Sequence, residues 1–275
     1  MSAPLATLIT RTYGDRRDFL ERAASCVFAQ TTGPIEWVVA EDGPGTADVT
    51  LSNLVLPQHV SVRHLALPKG GRSRAANAGL DAATGEFVGF YDDDDELFPQ
   101  HVEVLVELLR NSPTAAGAYA ASYEARRYRD FSSDTEESVF LRPSANSMVL
   151  LETNPFPIQA VLFRRSARYH QRFAHHLDAL EDWLFWIELF LERKLVWTTE
   201  VTSRFYILGD AEDEAARLKP HQEAEADFKI QVDGLFAERG LWDYGKIVRS
   251  AQSRLDSTLS SVRLASIFRA ASIAD

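Results

Sequence analysis

The chain has 275 residues, 45% of them hydrophobic and 25% charged, with a formal net charge of −11. That balance describes a globular protein long enough for one large domain, or a domain plus an appendage, with a core that needs no covalent help. The acidic surplus speaks against nucleic-acid binding, which needs cationic surface, and a single cysteine, Cys26, suits a reducing, cytoplasmic setting.

No stretch approaches the roughly 20 apolar residues that span a bilayer. MSAPLATLITRTYG carries no basic leader before its apolar run, so no signal peptide is expected. Residues 6–13, ATLITRTY, are rich in β-branched side chains and predict a strand. DRRDFLERAASCVFAQ (15–30) then sets Phe19, Leu20, Ala23, Ala24, Val27 and Phe28 at helical spacing, with Asp15 placed to cap the helix. IEWVVAEDG (35–43) and HVSVRHLAL (59–67) predict two more strands, and SRAANAGLDAA (73–83) a helix. GEFVGFY (85–91) is the fourth strand. Pro99 suits the first turn of a helix carrying Val102, Leu105, Val106 and Leu109. Such alternation implies an α/β fold with a mainly parallel, doubly wound sheet, whose ligands bind beyond the carboxyl ends of the strands. Three of those four ends carry polar groups: Arg11 and Thr12, Glu41 and Asp42, and Asp92 to Asp95.

Farther along, AAGAYAASYEARRY (115–128) is a strand candidate followed by the polar loop RDFSSDTEES. PIQAVLFRR (157–165) predicts another strand, and LEDWLFWIELFLERK (180–194) a buried helix, apolar on nearly every side. KLVWTTEVTSRFYIL (194–208) reads as a strand or hairpin. From Gly209 the composition turns to Ala, Glu, Asp, Arg and Gln, which predicts two or more amphipathic helices. In SVRLASIFRAASIAD (261–275), Val262, Leu264, Ile267, Phe268 and Ala271 gather near one face. That face suits packing within the chain or a homo-oligomer contact; peripheral docking on an anionic membrane is the sharper alternative.

Asp92 to Glu96 place five acids after a core strand. Carboxylates crowded in this way take up protons or bind a cation, and hard divalent ions such as Mg²⁺ or Mn²⁺ favour oxygen ligands. In an extended chain side chains alternate, so Asp92 and Asp94 are expected on one side, Asp93 and Asp95 on the other. Carboxylates roughly 7 Å apart on one face divide the work, one holding metal and one accepting hydrogen bonds from hydroxyls. The competing reading is a solvated acidic turn that caps the following helix through its dipole.

Four segments, in order, resemble family 2 glycosyltransferases of the GT-A fold, enzymes that move a sugar from a nucleotide donor to an acceptor with inversion. LITRTYGDRRDFLERAASCVFAQT resembles their opening strand, Thr-Tyr turn and helix. WVVAEDGPG is similar to the second strand with its acidic signature. KGGRSRAANAGLDAATGEFVGFYDDDDELFP resembles the Gly-x-Ser-x-Ala-x-Asn-x-Gly helix followed by the Asp-x-Asp strand. FRRSARYHQRFAHHLDALEDWLFWIEL resembles the acceptor-side segment ending in Glu-Asp. The likeness implies a Rossmann-like GT-A domain over residues 1–209, with a nucleotide-sugar half at about 1–111, an acceptor half at about 112–209, and a helical extension at 210–275.

The resemblance also implies roles. Asp92 and Asp94 match the Asp-x-Asp acids, expected on the donor's ribose and on a Mn²⁺ or Mg²⁺ ion at its diphosphate, with Asp93 between them at the donor. Glu41 and Asp42 match the acidic pair near the nucleotide base, and Thr12 the turn beside it. Arg72 and Arg74 lie where basic residues approach the donor. Ala76 stands where an arginine usually precedes the motif's Asn77, and Arg74 is the candidate substitute. Asp182 matches the catalytic base, which removes the acceptor hydroxyl's proton as its oxygen attacks the anomeric carbon. Donors of the UDP-, dTDP- or GDP-linked kind and a glycan or glycolipid acceptor are the implied partners.

Plainer readings stand beside these. Glu181 and Asp182 suit the first turn of any helix, Glu41 and Asp42 an ordinary turn, and Arg72 and Arg74 an exposed surface. Trp183 and Trp186 read as packing residues before sugar platforms, and His175 and His176 as exposed loop residues before metal ligands. Arg11 occupies a position where the family often has proline, and Pro44 one where serine is common. The Gln-x-x-Arg-Trp motif and membrane spans of processive members are absent from the sequence, which implies a non-processive, hexosyltransferase-like enzyme that adds single sugars. A sugar-phosphate nucleotidyltransferase and a non-catalytic nucleotide-sugar or glycan-binding module are the competing functions.

Overall fold

The computed structural model describes residues 3–127, 137–141, 150, 154, 156–168, 170–177, 179–191, 193–208 and 211–238. Strands β1 (Ala6–Gly14), β2 (Ile35–Gly45), β3 (Val60–Leu67) and β4 (Phe87–Phe90) lie parallel in the order β3-β2-β1-β4. Between them run α1 (Arg17–Phe28), α2 (Ala47–Ser52) and α3 (Arg72–Ala82). The apolar runs of β1, β2 and β4 are buried almost throughout, as a parallel sheet covered by helices requires. α1 turns Leu20, Ala23, Ala24 and Val27 inward. Asp15 does not cap it: the helix starts after Arg16 with no side-chain cap, and Asp15 instead accepts a 3.2 Å hydrogen bond from Thr46 Oγ1. α3 lies very close on β1, since a Cβ at Gly79 would sit 2.3 Å from Ile9 Cγ2.

The second half adds β5 (Glu96–Leu97), α4 (His101–Arg110), β6 (Gly117–Arg127), β7 (Ser138–Phe140), β8 (Val161–Arg164), α5 (Glu181–Phe190) and β9 (Leu195–Leu208). Among the described residues nine strands make one sheet, ordered β3-β2-β1-β4-β8-β6-β9-β5, with β7 on β6. β8 runs antiparallel to both β4 and β6, β6 and β9 are parallel, and β5 is antiparallel to β9. The sheet is therefore parallel where strands and helices alternate strictly and mixed beyond that. Pro99 lies just ahead of α4, before Gln100, rather than in its first turn. Within 194–208 the chain forms one strand, Leu195–Leu208, without a hairpin.

The apolar character of α5 is explained by its surroundings: Leu184, Phe185, Trp186, Ile187, Leu189 and Phe190 are buried. Phe185 stacks on Phe173 at 4.3 Å and Trp186 on Phe190 at 5.5 Å, while Phe90, from β4, meets both Phe185 and Trp186 edge-on. Each such ring pair stabilises the fold beyond what its buried area supplies. They anchor α5 beneath the end of β4, which matters for the site.

The chain divides into two compact units, Met1–Phe228 and Lys229–Asp275. The composition shift expected at 209–210 precedes α6 (Ala211–Glu238), and the first unit continues into that helix as far as Phe228, whose ring lies 4.6 Å from Trp183. The amphipathic face expected at 261–275 and most of the polar loop 129–138 lie outside the described residues. Among the described residues no helix is long and apolar enough to cross a membrane.

Candidate active site

The carboxyl ends of β1, β2 and β4 open on a cavity of about 460 Å³, within the range of small-ligand sites. One wall is the end of β1 and the turn after it, with Arg11, Thr12, Tyr13 and Arg16. Another is Asp42 with Lys69, Gly71 and Arg72. Asp92, Asp93 and Asp94 form the third.

The aspartates do not continue the strand. The Asp95 N–H donates to the Asp92 carbonyl at 3.2 Å, and this turn overrides the expected alternation. Asp92, Asp93 and Asp94 all line the cavity, while Asp95 is buried outside that lining. A turn lets separate cations meet the crowded charges. Arg11 Nε donates to Asp92 Oδ1 at 2.8 Å, and its Nη2 pairs with Oδ2. Arg16 forks onto Asp93, with Nε at 2.9 Å and Nη2 at 2.6 Å, and Thr12 Oγ1 donates to the same carboxylate at 2.6 Å. Arg16 Nη2 also reaches Asp94 at 3.2 Å. Burial pushes Asp93 above the usual carboxylate range despite Arg16 and Thr12. Asp95 is pushed well above it, by burial and then by repulsion from Asp94 and Asp92. The charge at this strand end is thus relieved by two arginines and by the buried Asp95, whose carboxyl holds its proton well above the usual carboxylate range.

Asp42 faces the cavity as expected. Its carboxylate accepts from the Gly70 amide at 2.6 Å and the Gly71 amide at 3.1 Å, and Lys69 Nζ lies 2.9 Å away. Burial opposes the charge, yet Lys69 and the two amides hold Asp42 below its ordinary range. Gly71, with φ of 87°, supplies the left-handed turn that presents both amides.

Glu41 is placed differently from Asp42. It is buried, accepts the Ala47 N–H at 2.9 Å at the start of α2, and lies 3.0 Å from His64 Nε2. An orphan helix amide and an imidazole are its partners, and it does not line the cavity. Arg74 also lies outside the lining: it is exposed and lies over Gly70. Arg72 does line it, 59% of its side chain exposed. Asn77 exchanges two 2.9 Å hydrogen bonds with the Phe173 backbone, so this motif residue pins the acceptor-side segment to α3.

Asp182 lies in the first turn of α5. Its Oδ1 accepts the Trp183 N–H at 2.7 Å and its Oδ2 accepts from Asn154 Nδ2 at 3.0 Å. Burial, then the neighbouring charge of Glu181, push it up to about 6, against the pull of the Trp183 amide, Arg11 and Asn154. Asp182 is not among the residues lining the cavity; Glu181 connects it there, 3.2 Å from Arg11 Nη1. Trp186 is fully buried and Trp183 donates to the Leu150 carbonyl at 2.6 Å, so both pack. His175 and His176 are exposed and outside the cavity lining.

Among the described residues no group of three or more Asp, Glu, His or Cys side chains converges on an ion position. A protein cage is not what a diphosphate-bound ion requires: Mg²⁺ in such sites takes one or two carboxylates plus phosphate oxygens. Asp94, 52% exposed and on the cavity wall, fits that arrangement. Asp92, expected as the second ligand, has both oxygens on Arg11. The residues missed from sequence are chiefly the cations Arg16 and Lys69, with Tyr13 and Glu181. The signal for Arg16 was present as charge complementarity, three arginines in TRTYGDRR against four consecutive aspartates.

Residues 7–170 match the family described as Glycosyl transferase family 2. An uncharacterized glycosyltransferase of Haemophilus influenzae is 25% identical over 193 residues, 66% of this chain and 74% of that protein. An uncharacterized glycosyltransferase of a Nostoc species is 35% identical over 96 residues, 34% of this chain and 30% of that protein. Chondroitin synthase of Pasteurella multocida is 26% identical over 119 residues, 43% of this chain but 12% of the synthase. The chain thus spans less than a third of the length of these last two relatives. Among solved structures, residues 1–349 of S. aureus TarS with UDP-GlcNAc superpose with a TM-score of 0.63 at 16% identity, covering 94% of this chain and 76% of that one. The mannosyltransferase PcManGT of Pyrobaculum calidifontis, in complex with GDP-Man and Mn²⁺, gives 0.60 at 16% identity, covering 99% and 80%. At that identity the likeness is one of fold, a mixed sheet flanked by helices.

Proposed function

Because this chain belongs to glycosyl transferase family 2 and is a glycosyltransferase, we propose that it moves single sugars, with inversion and with metal assistance, from a nucleoside-diphosphate sugar to a hydroxyl of a glycan or glycolipid. The observation that carries this reading is the cavity itself: Asp94, Lys69, Arg72 and Arg16 face one space, and a carboxyl of raised basicity, Asp182, follows Glu181, whose carboxylate meets the wall residue Arg11. In this reading residues up to about 111 hold the donor and residues from about 112 to 209 the acceptor.

The donor's diphosphate lies among Lys69, Arg72 and Arg16, whose charges stabilise the leaving group as it gains charge. Mn²⁺ or Mg²⁺, held by Asp94 and the diphosphate, would add Lewis-acid neutralisation of the same charge. Asp42 and Thr12 border the nucleoside end. Asp182 takes the proton of the acceptor hydroxyl while that oxygen forms its bond to the anomeric carbon and the bond to the diphosphate oxygen breaks. The products are the glycoside, with inverted configuration, and the nucleoside diphosphate. UDP-, dTDP- and GDP-linked sugars are the candidate donors; two fold neighbours hold UDP-GlcNAc and GDP-Man.

A panel of nucleoside diphosphates in a thermal-shift assay, with and without Mn²⁺, tests the donor half, since stabilisation follows ligand concentration over Kd. One nucleotide should raise Tm more in the presence of Mn²⁺, and Asp94→Ala should remove that increment. Asp182→Asn should keep the nucleotide response and lose transfer about 10²- to 10⁴-fold, the usual contribution of a positioned base. Full transfer by Asp182→Asn, or no response to any nucleotide, would refute the assignment.

A further inference from the structure

Arg11 sits where proline is common in the family, and here it is 90% covered, with 10% of its side chain exposed. Its guanidinium joins two parts of the site. Nε and Nη2 grip both oxygens of Asp92, and Nη1 lies 3.2 Å from Glu181 Oε1. Glu181 is only 2% exposed, and the same oxygen stands 3.4 Å from Arg72 Nη1. A carboxylate so deeply buried is costly unless its charge is met, and two arginines meet it. One side chain thereby ties the end of β1, the aspartate turn and the first turn of α5, and the next residue of that turn is Asp182. Leu180, just before Glu181, has φ of 63°, a left-handed conformation that leucine seldom takes. Such a residue persists where its neighbours over-determine it, and the Arg11–Glu181 contact holds the residue next to it.

We propose that Arg11 and Glu181 form a clasp that positions Asp182 against the donor cradle, so that both are positioning residues for sugar transfer. The proposal rests on the reading of Asp182 as the base. Neither residue hydrogen-bonds Asp182, whose partners are the Trp183 amide and Asn154. The clasp acts through the backbone of α5's first turn and through charge. Among the described residues, the charged groups facing Asp182 are Glu181 from its own helix, which favours the protonated acid, and Arg11 from β1, which favours the carboxylate. Neutralising the two therefore moves the base in opposite directions, a signature that loss of packing does not produce.

The test compares Glu181→Gln, Arg11→Gln and the double variant in the full chain. Asp182 is titrated by ¹³C NMR of labelled aspartate, its resonance identified by its loss in Asp182→Asn, and turnover is followed on the nucleoside-diphosphate sugar that the wild type uses best. The Asp182 midpoint should fall in Glu181→Gln and rise in Arg11→Gln. Each single variant should lower kcat about ten- to a hundredfold, the effect of a small displacement of a reacting group, with little change of donor KM in Glu181→Gln. The double variant should be no worse than the poorer single one, because both remove one contact. If Arg11→Gln does not fold, Arg11→Lys keeps the charge but not the fork, and should lose kcat while leaving the midpoint near wild type. Midpoints that move the same way, or losses that multiply in the double variant, overturn the clasp. Activity retained in Asp182→Asn sinks the base assignment and the clasp together, whereas loss there with full activity in both single variants sinks the clasp alone.

Discussion

At the scale of single residues, the base proposed above, Asp182, is one whose surroundings raise its affinity for a proton. With its acid form favoured up to about 6 by burial and by Glu181, the charged base gains population as pH rises through that value. Initial rates should climb about tenfold per pH unit well below 6 and level above it, as protonation of one essential base dictates. A limb near pH 4 instead would mean that Asp182 works as an ordinary solvated carboxylate. That charged groups would gather beyond the strands was legible in the sequence, because the apolar runs of β1, β2 and β4 end in such residues. Where each side chain points was not. Glu41 and Asp42 are adjacent and both acidic, yet Asp42 meets Lys69 at the cavity while Glu41 is drawn under α2 by an unpaired helix amide. Likewise Arg72 lines the cavity and Arg74, two residues on, lies over Gly70 outside it. Those choices depend on neighbours that spacing does not reveal.

At the scale of elements, hydrophobic periodicity located the helices and strands well, since β1 to β4, α1, α3 and α4 each carry an apolar pattern of their own. The direction of β8 was not legible, because its short apolar run, Val161 to Phe163, is the same in a parallel or an antiparallel ladder. Closeness between elements was equally hidden. Gly79 looks like a weak point in α3, and alanine is the better helix former by about 1 kcal/mol. Ile9 Cγ2, however, stands 2.3 Å from where the new Cβ would be. Gly79→Ala should therefore destabilise the protein, by about 1–3 kcal/mol as overpacking does. Urea denaturation checks it, and a gain in stability would show that α3 shifts freely on β1.

At the scale of the whole molecule, the sheet order holds a geometric constraint. β4 and β5 are separated in sequence only by Tyr91 to Asp95, yet three strands, β8, β6 and β9, lie between them in the sheet. Four strand spacings amount to about 19 Å on a flat sheet. Six Cα steps reach about 21 Å only when fully extended, and this segment is a turn. The sheet must therefore curl until its far edge returns toward its middle. Tyr91 N–H bonds to the Ile9 carbonyl at 2.8 Å, on one side of the gap, and Phe98 N–H to the Thr202 carbonyl at 2.9 Å, on the other. Both amides should exchange with solvent as slowly as those of β1 and β9, since neither opens without parting the sheet; fast exchange at both would mean that the curl is loose.

The aspartates after β4 thus do a mechanical job as well as a chemical one: they are the hem that sews the rolled fabric shut. A hem does not flap. The turn that carries the cavity's aspartates is then a fixed feature of the fold, held by the closure of the sheet.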